Sequence, residues 1–187
     1  MSKTAKEPQL RAIVVEVIDP AGKPLVNAEV EGLVDVNPGP VASTCCITKH
    51  FASAKTSAEG RATLDGAPYT FRAFHFRASF QGWPRRETTA SLSLGQPNVV
   101  RIQLGPARAV RGRVDLGPDC PLPSDLDVRA SASTASARVA ADGSFFFKSL
   151  PPWSTLSINA CGRSATAALE IGDDRPVLLT LPGAQSP

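Results

Sequence analysis

Short runs of alternating apolar and polar residues, broken every few positions by Gly, Pro, Asp or Asn, set the pattern of this chain. Leu10 to Ile18 (L-R-A-I-V-V-E-V-I) is β-branched enough for a half-buried or fully buried strand. Asp19 to Pro24 turns it, and Leu25 to Val34 follows with Ala28, Val30 and Gly32 in one phase. Tyr69 to Phe80 is aromatic-rich, with Tyr69, Phe71 and Ala73 on one phase and Phe74, Phe76, Ala78 and Phe80 on the other. A slip of one residue exchanges the faces of a strand, so this run predicts a bulge or strand end near Ala73 to Phe74, or a strand buried on both sides. Gln81 to Pro84 turns the chain, Glu87 to Leu94 alternates as an outer strand, and Val99 to Leu104 closes the first half. Arg108 to Leu116, Leu126 to Ser131, Thr155 to Ala160, Ser164 to Glu170 and Val177 to Leu181 are the corresponding runs of the second half.

Two stretches share one grammar. Thr56 to Tyr69 (T-S-A-E-G-R-A-T-L-D-G-A-P-Y) and Val139 to Trp153 (V-A-A-D-G-S-F-F-F-K-S-L-P-P-W) each place an acidic-Gly pair, Glu59-Gly60 and Asp142-Gly143, before an apolar strand and a Pro-aromatic corner. Each is read as a hairpin, the glycine supplying the positive φ of a tight reversal. Gly60 and Gly143 precede Pro68 and Pro151 by the same eight residues, which indicates a duplicated β-unit. The expected organisation is a flexible arm (1–9), a first β-sandwich (10–104), a short link (105–107), a second β-sandwich (108–182) and a tail (183–187). The fold class is all-β: two consecutive antiparallel Greek-key sandwiches of about seven strands each, with almost no helix. The first unit carries an extra segment, 37–55: thirty residues separate Val30 from Gly60, where fifteen separate Val128 from Gly143. An insert of that size in a compact β-domain points to function.

Composition sharpens this picture. Of 187 residues, 17 are Pro and 14 are Gly, spread along the chain as short strands and tight turns require. The net charge of +3 comes from interspersed lysines, arginines and acids, which is not the field of a nucleic-acid binder. No run approaches the ~20 apolar residues of a membrane-spanning helix. The opening M-S-K-T-A-K-E-P-Q-L has no apolar stretch after its lysines, so it predicts no signal peptide in this segment.

Asp19-Pro-Ala-Gly-Lys-Pro-Leu-Val-Asn-Ala-Glu-Val30, then Thr56 to Leu64, Gly66 to Tyr69, Gly82-Trp83 and Val100-x-Ile102-x-Leu104, resembles the carboxypeptidase regulatory-like domain, a transthyretin-like, seven-stranded, immunoglobulin-like sandwich. Residues 108–181 resemble a degenerate second copy, with Asp119-Cys-Pro-Leu-Pro123 and Gly162-Arg163 at the places of the signature and the Gly-aromatic pair. The resemblance implies a non-catalytic accessory module that brings no catalytic residues. It implies a protein partner in a larger surface, envelope or secretion-type assembly, and an extracytoplasmic location, with the cytoplasm as the alternative.

The chemistry-bearing residues are few. Cys45-Cys46 and His50 offer soft-metal donors, but adjacent cysteines aim poorly at one ion and a tetrahedral site wants four ligands. Metal: none is the reading, with a metal- or redox-responsive regulator through Cys45-Cys46 as an alternative function. Cys120 and Cys161 fall at strand ends and are the candidate disulfide. With two histidines and no Ser or Cys elbow or Gly-rich phosphate loop, the reading is no enzyme and no cofactor. Asp173-Asp174 sits in a Gly-Pro turn, where aspartate bonds locally. Cys45, Cys46, His50, Phe51, Trp83, Arg85 and Arg86 are the interaction candidates, because Trp and Arg dominate interface hot spots and Trp can stack on a sugar. Trp83 and Trp153 are alternatively the caps of their own sandwiches, and a carbohydrate- or small-ligand-binding module is the remaining alternative.

Overall fold

Alternation becomes sheet wherever it runs for four or more residues. The computed structural model describes residues 12–36, 47–67, 74–92 and 97–183. Two compact units divide between Leu104 and Gly105. Fourteen strands and no helix lie among the described residues.

The first unit holds β1 (Ile13–Ile18), β2 (Glu29–Val36), β3 (Ile47–Lys55), β4 (Arg61–Leu64), β5 (Phe74–Ser79), β6 (Arg86–Ala90) and β7 (Asn98–Gln103). They form a three-stranded sheet, β4-β1-β7, and a four-stranded sheet, β3-β2-β5-β6. The second unit holds β8 (Arg108–Asp115), β9 (Asp127–Ala130), β10 (Ser136–Arg138), β11 (Ser144–Leu150), β12 (Thr155–Ala160), β13 (Arg163–Ala168) and β14 (Val177–Thr180). Its sheets, β11-β8-β14 and β10-β9-β12-β13, repeat that order strand for strand. Pairing is antiparallel except between the first and last strand of each unit, β1 with β7 and β8 with β14, which run parallel. With an odd number of strands, the chain returns to its first strand in the same direction.

Each interior comes from one phase of each strand. Ile13, Val15 and Val17 of β1 face Val30 of β2 and Phe76 of β5, all fully buried. In the second unit Phe145, Phe147, Leu150, Leu156, Ile158 and Leu179 do the same. Each such side chain contributes about 1.5–3 kcal/mol through apolar surface removed from water.

Two expectations need correction. Gly60 and Gly143 do take positive φ, 71° and 81°. The chain does reverse there: Ser57 N–H donates to Arg61 C=O (2.8 Å) and Ala140 N–H to Ser144 C=O (2.8 Å). The flanking strands are nevertheless not hairpin partners. Lys55 stays paired with Glu29 of β2, while Arg61 pairs with Glu16 of β1, so the turn is a corner between the two sheets. Buried Thr56 fixes the corner: its hydroxyl donates to Leu25 C=O and accepts from Ala28 N–H at 2.9 Å. Gly60 N–H closes the turn onto Ser57 C=O at 3.0 Å, its C=O accepts from Val17 N–H of β1 at 2.8 Å, and a Cβ there would lie 2.7 Å from Val17 O.

The second correction concerns residues 47–55. Expected as part of an insert, they form β3, the nine-residue partner of β2. Ala, Ser and Lys dominate this strand and hide its period, and Phe51 sits in a bulge where the register shifts between Gly32 and Leu33. The part of that segment with no counterpart in the second unit, 37–46, lies outside the described residues. So do Tyr69, Phe71 and Ala73; β5 begins at Phe74, with Phe74, Phe76 and Ala78 inward.

Candidate interaction surfaces

The outer face of the β3-β2-β5-β6 sheet collects the polar phase of four strands. Leu33 of β2 pairs with His50 on one side and His75 on the other, so both histidines share this face. His75 Nε2 lies 2.8 Å from Asp35 Oδ2, and His75 Nδ1 lies 3.2 Å from Thr89 Oγ1 and 3.3 Å from Glu87 Oε1. Arg77 bonds the other Glu87 oxygen, and Thr48 donates to Asp35 Oδ1 at 2.9 Å. The His75 ring, and then Thr48, hold the Asp35 carboxyl below its ordinary range. Because both ring nitrogens of His75 are engaged, the cluster works as a cross-strand clamp joining β2, β5 and β6, and the outward-facing Leu33, paired between His50 and His75, is only 6% exposed. Neither Asp35 nor His75 is among the interaction candidates named from the sequence. Their signal was there: Asp35 and His75 lie in the outward phase of facing strands.

The residues singled out by sequence scatter. Cys45 and Cys46 lie outside the described residues. His50 is exposed on β3. Phe51 turns inward, edge-on to Phe74 (centroids 6.1 Å apart) and over Gly32, whose missing Cβ makes room for the ring. Trp83 is half-buried and packs edge-on against Phe80 at 5.3 Å, with its N–H closing the turn onto Phe80 C=O at 2.7 Å. Arg85 lies 3.8 Å from Glu31 in an exposed pair. Arg86 donates to Gln103 C=O at 2.8 Å, tying β6 to β7, and burial pushes its pKa down.

In the second unit Cys120 and Cys161 are bonded, with Cα atoms 6.0 Å apart. Cys161 and Gly162 form the two-residue loop between β12 and β13 with φ of 51° and 70°, the pair of positive values that a type I′ turn demands. Asp173 and Asp174 are neutralised locally. Arg175 grips both Asp173 oxygens at 2.7–3.0 Å and holds that carboxyl at a pKa of about 2, while Asp174 pairs with Arg108 at 2.9 Å. A polar cleft of about 240 Å³ on the β9-β12 face is lined by Asp125, Asp127, Arg129, Ser157 and Asn159 with Pro123 and Leu126, a wall without an aromatic ring for a sugar to stack on.

The remaining feature is exposed apolar surface. Among the described residues, four large hydrophobic side chains stand well out of the fold: Val26 (44%), Val99 (58%), Phe146 (51%) and Leu178 (62%). Val99 lies on the outer face of β7, and Phe146 and Leu178 lie on the outer face of one sheet, β11-β8-β14. Arg111 stacks over the Phe146 ring at 5.8 Å.

No protein-family model and no curated protein matches the chain. Among solved structures it is similar to a streptococcal ancillary pilin (10% identity, TM-score 0.37, 96% of this chain and 64% of the other). It is also similar to the Bacillus anthracis TIE protein (12%, 0.37, 92% and 33%) and to the shaft pilin spaA of Lactobacillus rhamnosus GG (9%, 0.35, 94% and 99%). The chain thus spans less than two thirds of the length of the first two.

Proposed function

We propose that this chain is a non-catalytic, tandem β-sandwich subunit that docks a protein partner within a larger extracytoplasmic assembly, and that both units are carboxypeptidase regulatory-like, transthyretin-like sandwiches. The observation that carries the docking role is the pair Phe146 and Leu178, two large apolar side chains more than half exposed on one sheet face beside Arg111 and Arg113, to which no carboxylate is bonded among the described residues. Water is a poor neighbour for such a face, and aromatic residues flanked by Arg are the usual anchors of protein interfaces. Seven strands in a three-plus-four sandwich, met twice in one order, support the family reading. The Cys120–Cys161 disulfide supports an oxidising compartment.

The test is photo-crosslinking in the native cell, with benzoylphenylalanine placed at position 146 or, as a control, at Thr166 on β13. A discrete adduct from position 146 and none from 166 is the expected result. Equal labelling from both positions, or none from 146, contradicts the docking role.

A further inference from the structure

The two units are copies, so each serves as the reference for what the other has changed. Their three-stranded sheets align by register: Glu16 of β1 lies between Arg61 and Arg101, and Arg113 of β8 lies between Ser144 and Leu178. Two main-chain bonds fix the alignment, Val17 N–H to Gly60 C=O at 2.8 Å and Val114 N–H to Gly143 C=O at 2.9 Å. In the first unit the row closes on itself. Arg61 and Arg101 each donate two bonds to a different Glu16 oxygen, at 2.9–3.2 Å, and the next row is Thr63, Val14 and Val99.

In the second unit the acid has become Arg113, its two partners have become Ser144 and Leu178, and the Thr63 and Val14 positions hold Phe146 and Arg111. Lys148, exposed, continues the outward phase of β11. Arg111, Arg113 and Lys148 have no carboxylate bonded to them among the described residues. Arg113 bonds the Asp142 carbonyl at 3.0 Å and attracts the Asp142 carboxylate without bonding it, that carboxylate accepting instead from Ser144. Asp115, at the rim, accepts from Gly117 N–H. One face of a duplicated pair has thus exchanged a row in which one carboxylate is shared by two arginines for an aromatic, a leucine and three cations to which no carboxylate is bonded among the described residues.

We propose that the outer face of β11-β8-β14 holds an acidic, apolar, extended segment of the protein partner. This rests on the docking role proposed above and names its chemistry. Arg111 and Arg113, two residues apart on a flat strand, are spaced about 7 Å, the same repeat as carboxylates at alternate positions of an extended chain. A guanidinium binds a carboxylate through two parallel bonds, which favours Arg for this contact. Phe146 and Leu178 flank β8 on either side and take apolar side chains two positions before and after those carboxylates, because alternate residues of an extended segment share one face.

The experiment uses the full chain, 15N-labelled, titrated with the peptide Leu-Ser-Glu-Ser-Glu-Ser-Phe and with Leu-Ser-Lys-Ser-Lys-Ser-Phe, both capped. The acidic peptide is expected to shift the amides of β8, β11 and β14, to weaken as salt rises from 50 to 300 mM, and to bind R111E/R113E at least tenfold more weakly. R111K/R113K, which keeps the charge and loses the fork, is expected to fall between; an unchanged spectrum elsewhere verifies folding of both variants. Shifts on another face, an equal response to the basic peptide, self-association of the chain through this face, or binding to phosphatidylglycerol vesicles without the acidic peptide overturns the inference. A discrete adduct from position 146 alongside such a result leaves the docking role standing with a different partner chemistry; loss of both removes the two together.

Discussion

Breaking the Cys120–Cys161 bond is expected to destabilise the second unit selectively. The bond closes a loop with a sequence separation of 41, and the chain-entropy relation for a loop of that size gives about 4 kcal/mol. For a unit of about 80 residues each kcal/mol shifts Tm by roughly 4–8 °C, so C120A/C161S should lower its transition by roughly 15–30 °C. The residue placed at position 161 sets a second, smaller contribution. Cys161 sits at φ 51°, a left-handed conformation that costs a non-glycine residue about 1–2 kcal/mol and that asparagine tolerates. C120A/C161N should therefore recover part of the loss. The chain has two tryptophans, Trp83 in the first unit and Trp153 in the second, so W83F and W153F variants let fluorescence follow each unit alone. A shift under about 5 °C in the Trp153 signal, an equal shift in the Trp83 signal, or no difference between the Ser and Asn variants refutes the reasoning.

Two further outcomes follow from close packing and charge. A Cβ on Gly112 would lie 2.4 Å from Val177 O and 2.2 Å from the Phe145 ring, whereas the nearest atoms to one on Gly32 belong to the ring of half-buried Phe51; G112A should cost about 3 kcal/mol or unfold its unit, and G32A about 1, measured by denaturant midpoints. Arg101 and Arg61 hold the Glu16 carboxyl below its ordinary range. A depressed pKa gives stability that is present above the unfolded value near 4.5 and lost as pH falls through the folded one. E16Q should thus cost about 1 kcal/mol at pH 7, the exposed arginines limiting its worth, and progressively less as the carboxylate is protonated at acid pH; a pH-independent difference contradicts the triad.

Much of this fold was legible because local rules and global arrangement agree. Gly60 and Gly143 need positive φ, and an acidic-Gly pair in a repeated frame announces it. What alternation cannot show is which sheet a strand joins: the Gly60 corner has a hairpin's chemistry, and only pairing of Arg61 with Glu16 sends β4 to the other layer. β3 was missed because Ala52, Ser53 and Ala54 carry little β-propensity and the Phe51 bulge breaks the period. Of the surface residues, Phe51 and Arg86 drew notice by type, yet Phe51 points inward and Arg86 binds Gln103 C=O. The Phe146 and Arg113 face escaped because its residues are unremarkable one at a time. It emerges when the second copy is laid on the first, and that alignment requires the registers.

The most direct measurement is hydroxyl-radical footprinting of the chain in its native assembly against the isolated chain. Oxidation of Phe146 and Leu178 should drop several-fold in the assembly while Val26 labels unchanged. Equal labelling of Phe146 and Leu178 in both states contradicts the account.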